Sequence, residues 1–71
     1  MKLSPTQRDV IMRMRADARI EYHGGTQMYL ISNPWQNLRR DVLHALLKNG
    51  YIEDVGSYVY ELTELGRTCE L

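Results

Sequence analysis

The chain opens with a hydrophobic pattern typical of an amphipathic helix. Four apolar side chains recur at helical spacing: Val10, Ile11, Met14 and Ala18. Ser4 stands before them as a capping residue, and Pro5 suits the first turn of a helix. The pattern predicts a first helix over residues 5–17.

The next segment alternates in the manner of two short strands. Residues 19–31 hold two β-prone runs on either side of Gly24 and Gly25. Glycine takes positive φ without steric cost, so the pair suits the turn of a hairpin. Residues 32–34, Ser-Asn-Pro, are expected to end the second strand and to lead into a helix. A first hairpin is therefore predicted here.

A second helical pattern runs from Trp35 to Asn49. Its apolar side comprises Trp35, Leu38, Val42, Ala45 and Leu46. Gly50 is placed to end this helix, because glycine readily adopts the left-handed conformation of a C-terminal cap. We therefore predict one helix over residues 35–49.

The remaining residues have the pattern of a second hairpin. Residues 51–62 are predicted to form a strand, a tight turn at 55–57 (Val-Gly-Ser) and a returning strand. Thr63 can cap a short terminal turn of helix. The order helix, hairpin, helix, hairpin predicts an α+β fold, and residues 1–71 show no linker that would divide them into two domains.

Composition narrows the class of protein. The chain is 44% hydrophobic and 25% charged, as in ordinary globular proteins. Its single cysteine, Cys69, cannot form an intramolecular disulfide, which suits a reducing cytoplasm. No apolar run approaches the roughly 20 residues of a membrane span. We expect a cytoplasmic protein without a membrane partner.

The formal net charge is zero, but charge is distributed unevenly. Residues 1–50 hold eight of the nine Lys and Arg residues and four of the nine acids, whereas residues 51–71 hold the remaining five acids. The first part is therefore basic and the last part acidic. A basic surface on the second helix is consistent with binding to nucleic acid.

Two segments resemble winged helix-turn-helix proteins of the antibiotic-resistance and phage-borne regulator type. Residues 46–52 (Leu-Leu-Lys-Asn-Gly-Tyr-Ile) are similar to the end of the recognition helix, and residues 58–67 (Tyr-Val-Tyr-Glu-Leu-Thr-Glu-Leu-Gly-Arg) to the wing and closing helix. The opening residues 3–11 are similar to the family's first helix. The resemblance implies a winged-helix-like fold, with the first hairpin standing where the family has a helix and a tight turn. Ile52, Leu62 and Leu65 are expected to join the core.

The resemblance also implies a function. Recognition helices of this family enter the major groove of DNA, where Asn and Arg read base edges and Lys contacts phosphate. The implied DNA-binding residues are Gln36, Asn37, Arg39, Arg40, His44 and Lys48. We therefore expect a small DNA-binding transcriptional regulator or accessory factor of phage or mobile-element type. An ordinary solvated helix surface is the alternative for these residues.

The arginines near the first helix and two leucines of the second helix could each have either of two roles. Four arginines of the first helix region could reach flanking phosphates or could simply serve solubility: Arg8, Arg13, Arg15 and Arg19. Leu43 and Leu47 border the apolar side of the second helix and could widen the core or line a homodimer seam.

The second hairpin favours a different partner. Its acidic residues would repel phosphate, whereas exposed tyrosines suit a protein interface. The alternative function is a protein-binding winged-helix module that engages or inhibits a partner protein through Glu53, Asp54, Tyr58 and Tyr60.

Catalysis is not expected from this sequence. A zinc site needs three or four ligands, and His23 and Cys69 lie in a predicted turn and near the end of the chain. No glycine-rich loop precedes a helix to hold a phosphate. We predict no catalytic residues, no metal and no cofactor.

Overall fold

The computed structural model describes residues 3–32 and 35–71. In these ranges helices and strands follow one another in an α+β arrangement, which confirms the predicted class. The elements are α1 Pro5–Arg15, β1 Ile20–His23, β2 Met28–Ile31, β3 Gln36–Leu38, α2 Arg40–Lys48, β4 Ile52–Asp54, β5 Val59–Leu62 and α3 Glu64–Thr68.

The strands form one antiparallel sheet in the order β3-β2-β1-β5-β4. Strand β1 lies at its centre, where Ile20 pairs with Ile31 of β2 and with Tyr60 of β5. Strand β3 extends the sheet on one side, and the β4–β5 hairpin extends it on the other.

Side chains alternate between the two faces of this sheet. The strand residues that are buried all fall on one face, which α1 and α2 cover; we call it the helix-bearing face. The core comprises Val10, Ile11, Met14, Ala18, Ile20, Ile31, Leu38, Val42, Leu43, Leu46, Tyr51, Ile52 and Leu62. The opposite face carries Leu30 and Val59, which are half-buried but lie outside this cluster. We call it the helix-free face.

Helix α1 begins and ends with cap structures. The Ser4 hydroxyl accepts a bond from the backbone N–H of Gln7, whose side-chain oxygen accepts one from the N–H of Ser4. At the other end Asp17 takes φ 72°, and the N–H of Ala18 donates to the carbonyl of Arg13. The first helix is confirmed, but it ends before the predicted residue 17 because Asp17 turns the chain into β1.

The first hairpin is confirmed, although its turn differs from the expected one. The N–H of Thr26 donates to the carbonyl of His23. Gln27, at φ 57°, is the left-handed residue rather than Gly24 or Gly25. The expected end of the strand at residues 32–34 includes Asn33 and Pro34, which lie outside the described residues.

The prediction of one helix over residues 35–49 is wrong. Residues 36–38 form β3, and α2 begins only at Arg40. Tertiary pairing overrides the helical periodicity here: β3 satisfies the free edge of β2, with Leu30 opposite Asn37 and Tyr29 opposite Leu38. Leu38 is buried in the strand, as it would have been in a helix. Hydrophobic spacing therefore did not distinguish a strand from a helix at residues 36–38.

The buried side of α2 is also shifted from the predicted one. Its fully buried side chains are Leu43 and Leu46, with Val42 beside them, whereas Ala45 is only half-buried. Leu43 therefore belongs to the core. Trp35, expected on this apolar side, precedes β3 and is 54% exposed.

The end of α2 follows the sequence prediction. Gly50 takes φ 80°, its N–H donates to the carbonyl of Leu47, and the N–H of Tyr51 donates to that of Leu46. The chain then enters β4 with Ile52 buried as expected.

The start of α3 is tied to the end of α2 through Thr63. Its hydroxyl oxygen accepts from the N–H of Gly66 and donates to the carbonyl of Gly50. Thr63 thus caps α3 as predicted, and Leu62 is buried. Leu65 is 47% exposed, so its predicted place in the core is wrong: the face of α3 that meets the core carries Gly66 instead.

Gly66 permits the close approach of α3 to the end of α2. A Cβ at this position would lie 2.1 Å from the carbonyl oxygen of Tyr51 and 2.8 Å from a methyl of Leu62. Only a residue without a side chain fits between these atoms.

Gly66→Ala should therefore destabilise the fold by about 3 kcal/mol, the upper range for overpacking. Gly25→Ala is the matched control, because no atom lies within 4 Å of its added Cβ; its effect should stay within about 0.5 kcal/mol. Urea unfolding followed by circular dichroism measures both. Equal stability of the two variants would contradict the packing of α3 described here.

Candidate binding surfaces

The exposed side of α2 is the basic surface of the second helix. Arg40, His44 and Lys48 follow one another at intervals of four residues, so they lie on one side of the helix. All three are exposed, opposite the buried Val42 and Leu46. The predicted exposure of this cationic side is confirmed.

Arg39 and Asp41 flank the start of this surface. The Nε of Arg39 lies 3.2 Å from Oδ1 of Asp41, and both side chains are largely exposed. Arg40 donates to the carbonyl of Gln27 at 3.4 Å, which brings the first-hairpin turn beside α2. Asp41 is thus paired with Arg39, and the side chains of Arg40, His44 and Lys48 are exposed to solvent.

Two of the predicted DNA-binding residues lie elsewhere. Gln36 and Asn37 belong to β3 and point to opposite faces of the sheet. The Oε1 of Gln36 accepts a bond of 2.6 Å from Arg13, and Asn37 lies on the helix-free face. The structure therefore joins Arg40, His44 and Lys48 on one surface, with Arg39 at its edge, and separates Gln36 and Asn37 from it.

Three arginines near α1 make intramolecular contacts. Arg13 bonds to Gln36 and, at 2.9 Å, to the carbonyl of Ser32. Arg15 donates to the carbonyls of Gly66 and Cys69 at the end of α3, where a cation also complements the helix dipole. Arg19 pairs with Glu21 at 2.8 Å. The partners of Arg13 and Arg15 lie far away along the chain, and Arg19 meets Glu21 because the two side chains lie on the same face of the sheet. No local sequence signal therefore predicts these three contacts.

The four residues proposed on the second hairpin divide between the two faces. By strand alternation Asp54 and Tyr60 lie on the helix-bearing side, whereas Glu53 lies on the helix-free face, opposite Glu61. Tyr58 lies in the turn, and its ring contacts that of Tyr22. Tyr58 is 71% exposed and Tyr60 is half-buried. The hairpin therefore offers two separate surfaces rather than one.

Four tyrosines form a cluster of contacting rings. Tyr22 lies between Tyr29, at a ring-centroid distance of 4.9 Å, and Tyr58, at 6.1 Å. Tyr29 in turn contacts Tyr60 edge-on at 6.0 Å. Strand alternation puts Tyr22, Tyr29 and Tyr60 on one side of the sheet, so this part of the cluster follows from the register of β2, β1 and β5.

The tip of the second hairpin is a tight turn with two left-handed residues. Ser57 and Tyr58 have φ values of 56° and 61°, and the N–H of Val59 donates to the carbonyl of Gly56. These are the features of a type I′ turn, whose second central position favours glycine. Tyr58 therefore holds a conformation that costs a side-chain-bearing residue about 1 kcal/mol. The predicted turn at 55–57 is displaced by one residue towards β5.

Among the described residues, no group of three or more His, Cys, Asp and Glu side chains is placed to hold a metal ion. None of the described helices has the length and apolar character needed to cross a bilayer. Comparisons with protein families, with curated proteins and with solved structures found no match to this chain.

Replacing Tyr58 should reveal the strain in the turn. Tyr58→Gly and Tyr58→Ala both remove the exposed ring, but only alanine retains a Cβ at positive φ. We expect the glycine variant to be more stable than the alanine variant by about 1 kcal/mol. Paired denaturant titrations give this difference, and an alanine variant of equal or greater stability would rule out the left-handed conformation.

The tyrosine cluster should also make the free energy of unfolding depend on pH in the alkaline range. Burial, followed by the neighbouring Tyr29, raises the pKa of Tyr60 above its ordinary value. The folded state thus favours the protonated phenol. Its stabilising contribution is complete below about pH 10, the ordinary tyrosine pKa, and is lost as pH rises through the folded-state pKa. As pH rises through this range, the free energy of unfolding of Tyr60→Phe should fall less than that of wild type, as measured by urea titrations at each pH. An identical fall in both proteins would show that ionisation of Tyr60 does not cause the loss of stability.

Proposed function

We propose that this chain is a small winged-helix-like regulator of the cytoplasm that binds duplex DNA through the exposed side of α2. The observation that supports this most is the row Arg40, His44 and Lys48 on one solvent-facing side of the helix. The helix immediately precedes the β4–β5 hairpin, as the recognition helix precedes the wing in the family that the sequence resembles.

The dimensions of this row suit a groove of duplex DNA. Lys48 lies eight positions after Arg40, so the row extends about 12 Å along the helix axis. A helix with its side chains is about 10–12 Å across, and the major groove, about 12 Å wide, admits it. On a duplex of mixed sequence Arg39, Arg40 and Lys48 can each contact a phosphate, and Arg40 is also suited to the guanine edge of a specific site.

The acidic hairpin limits how the duplex can lie. Glu53, Asp54 and Glu61 are exposed on β4 and β5, and they would repel the phosphates of a duplex that contacted the hairpin closely. The proposed contact is therefore confined to α2 and the neighbouring turn of the first hairpin. About three phosphate contacts are available, from Arg39, Arg40 and Lys48.

A gel-shift titration with mixed-sequence duplex DNA at two salt concentrations tests this function. Three phosphate contacts predict that affinity falls about 40-fold between 50 and 200 mM salt. Arg40→Ala should weaken binding and lower the slope of log K against log salt by about 1.

The matched control is Arg19→Ala, which removes one positive charge near the helix-free face, where Arg19 pairs with Glu21. It should leave both affinity and slope close to those of wild type. Absence of any retarded duplex at low salt, or equal loss in Arg40→Ala and Arg19→Ala, would refute binding through α2.

A further inference from the structure

The helix-free face carries an apolar and aromatic surface on β1, β2 and β3. The Trp35 indole, 54% exposed, lies edge-on to the His23 ring at a centroid distance of 6.2 Å. Strand alternation puts Met28 and Leu30 on the same face as His23. Neither belongs to the core cluster: Met28 is 36% exposed and Leu30 is half-buried, so both keep apolar surface in contact with solvent.

The other half of this face is acidic. Glu53 and Glu61 lie directly opposite each other on β4 and β5, and cross-strand neighbours of like charge destabilise a sheet. Neither forms an ion pair with a residue in the described ranges 3–32 and 35–71, whereas Glu21 on β1 is bound by Arg19. The face thus has three carboxylates and one guanidinium, with Val59 between the acidic and the apolar parts.

We propose that the helix-free face is a docking surface for a basic, amphipathic segment of a partner protein. Cationic side chains of such a segment would neutralise Glu53 and Glu61, and its apolar side chains would cover Leu30 and Trp35. Tryptophan is enriched among the residues that anchor protein interfaces, and Trp35 lies at the apolar end of this face, with β2 and β1 between it and the acidic end. This inference goes beyond the proposed function, because the surface is different from that of α2.

Charge argues against the other occupants of such a face. A single-stranded nucleic acid could stack on Trp35, but its phosphates would meet three carboxylates and only one arginine. A second copy docked face to face would bring the same surplus of negative charge against itself. A protein segment with the opposite charge is the occupant that the surface complements.

Trp35 is the only tryptophan of the chain, so its fluorescence reports on this face. The probe is a synthetic peptide with Lys and Leu at amphipathic helical spacing, compared with an analogue that has Glu in place of Lys. The Lys peptide should produce a saturable blue shift of Trp35 emission, because covering the indole removes it from water. The Glu peptide should produce none.

Variants show whether the binding is located where we propose. Anisotropy of the labelled Lys peptide should give an affinity about tenfold lower for Trp35→Ala, and a similar loss for Glu53→Gln/Glu61→Gln. The control Asp9→Asn/Glu70→Gln removes two exposed charges outside the sheet and should change affinity little. Thermal unfolding establishes that each variant is folded before it is compared.

Three outcomes would overturn the proposal. These are no saturable shift with the Lys peptide, equal weakening in the control variant, or a larger Trp35 response to a single-stranded oligonucleotide than to the peptide. Duplex DNA bound through α2 should leave Trp35 emission unchanged, so the outcome for this face is separable from the outcome for DNA binding.

Discussion

The structure depends on one apolar layer between the helices and a single face of the sheet. Ile11 of α1, Leu43 and Leu46 of α2, and Ile20 of β1 are completely buried in that layer. The described helices cover one face of the five strands and leave the other face open. This one-sided packing produces two surfaces of different chemistry: a basic side on α2 and an acidic, aromatic face on the sheet.

Counting charges along the sequence overstates how many cations are available to a ligand. Arg13 holds α1 to the β2–β3 connection, Arg15 caps the end of α3, and Arg19 neutralises Glu21. These groups contribute to the fold through charge-assisted hydrogen bonds. The cationic side chains of α2 are different, because they lie on the side of the helix that faces solvent. A protein of zero net charge therefore still has a basic surface.

Local signals were sufficient for three of the helix caps. Ser4, Thr63 and Gly50 act through neighbours within a few residues, and their capping roles were predictable because capping is local chemistry. The β3 strand was not predictable in this way. Its pairing with β2 depends on tertiary geometry, and Leu38 is buried whether residues 36–38 are helix or strand. The error placed Trp35, Gln36 and Asn37 on the second helix, so the true positions of two of the six predicted DNA-binding residues, and of Trp35 on the helix-free face, required the structure.

The chain changes from strand to helix between Leu38 and Arg40, and this change separates Trp35 from the core. Nuclear Overhauser spectroscopy of the free protein can detect this arrangement. We expect contacts from the Trp35 indole to the His23 ring and cross-strand contacts between Leu30 and Asn37. Contacts from the indole to the methyls of Leu43 or Leu46, with sequential helical amide contacts through residues 36–39, would contradict it.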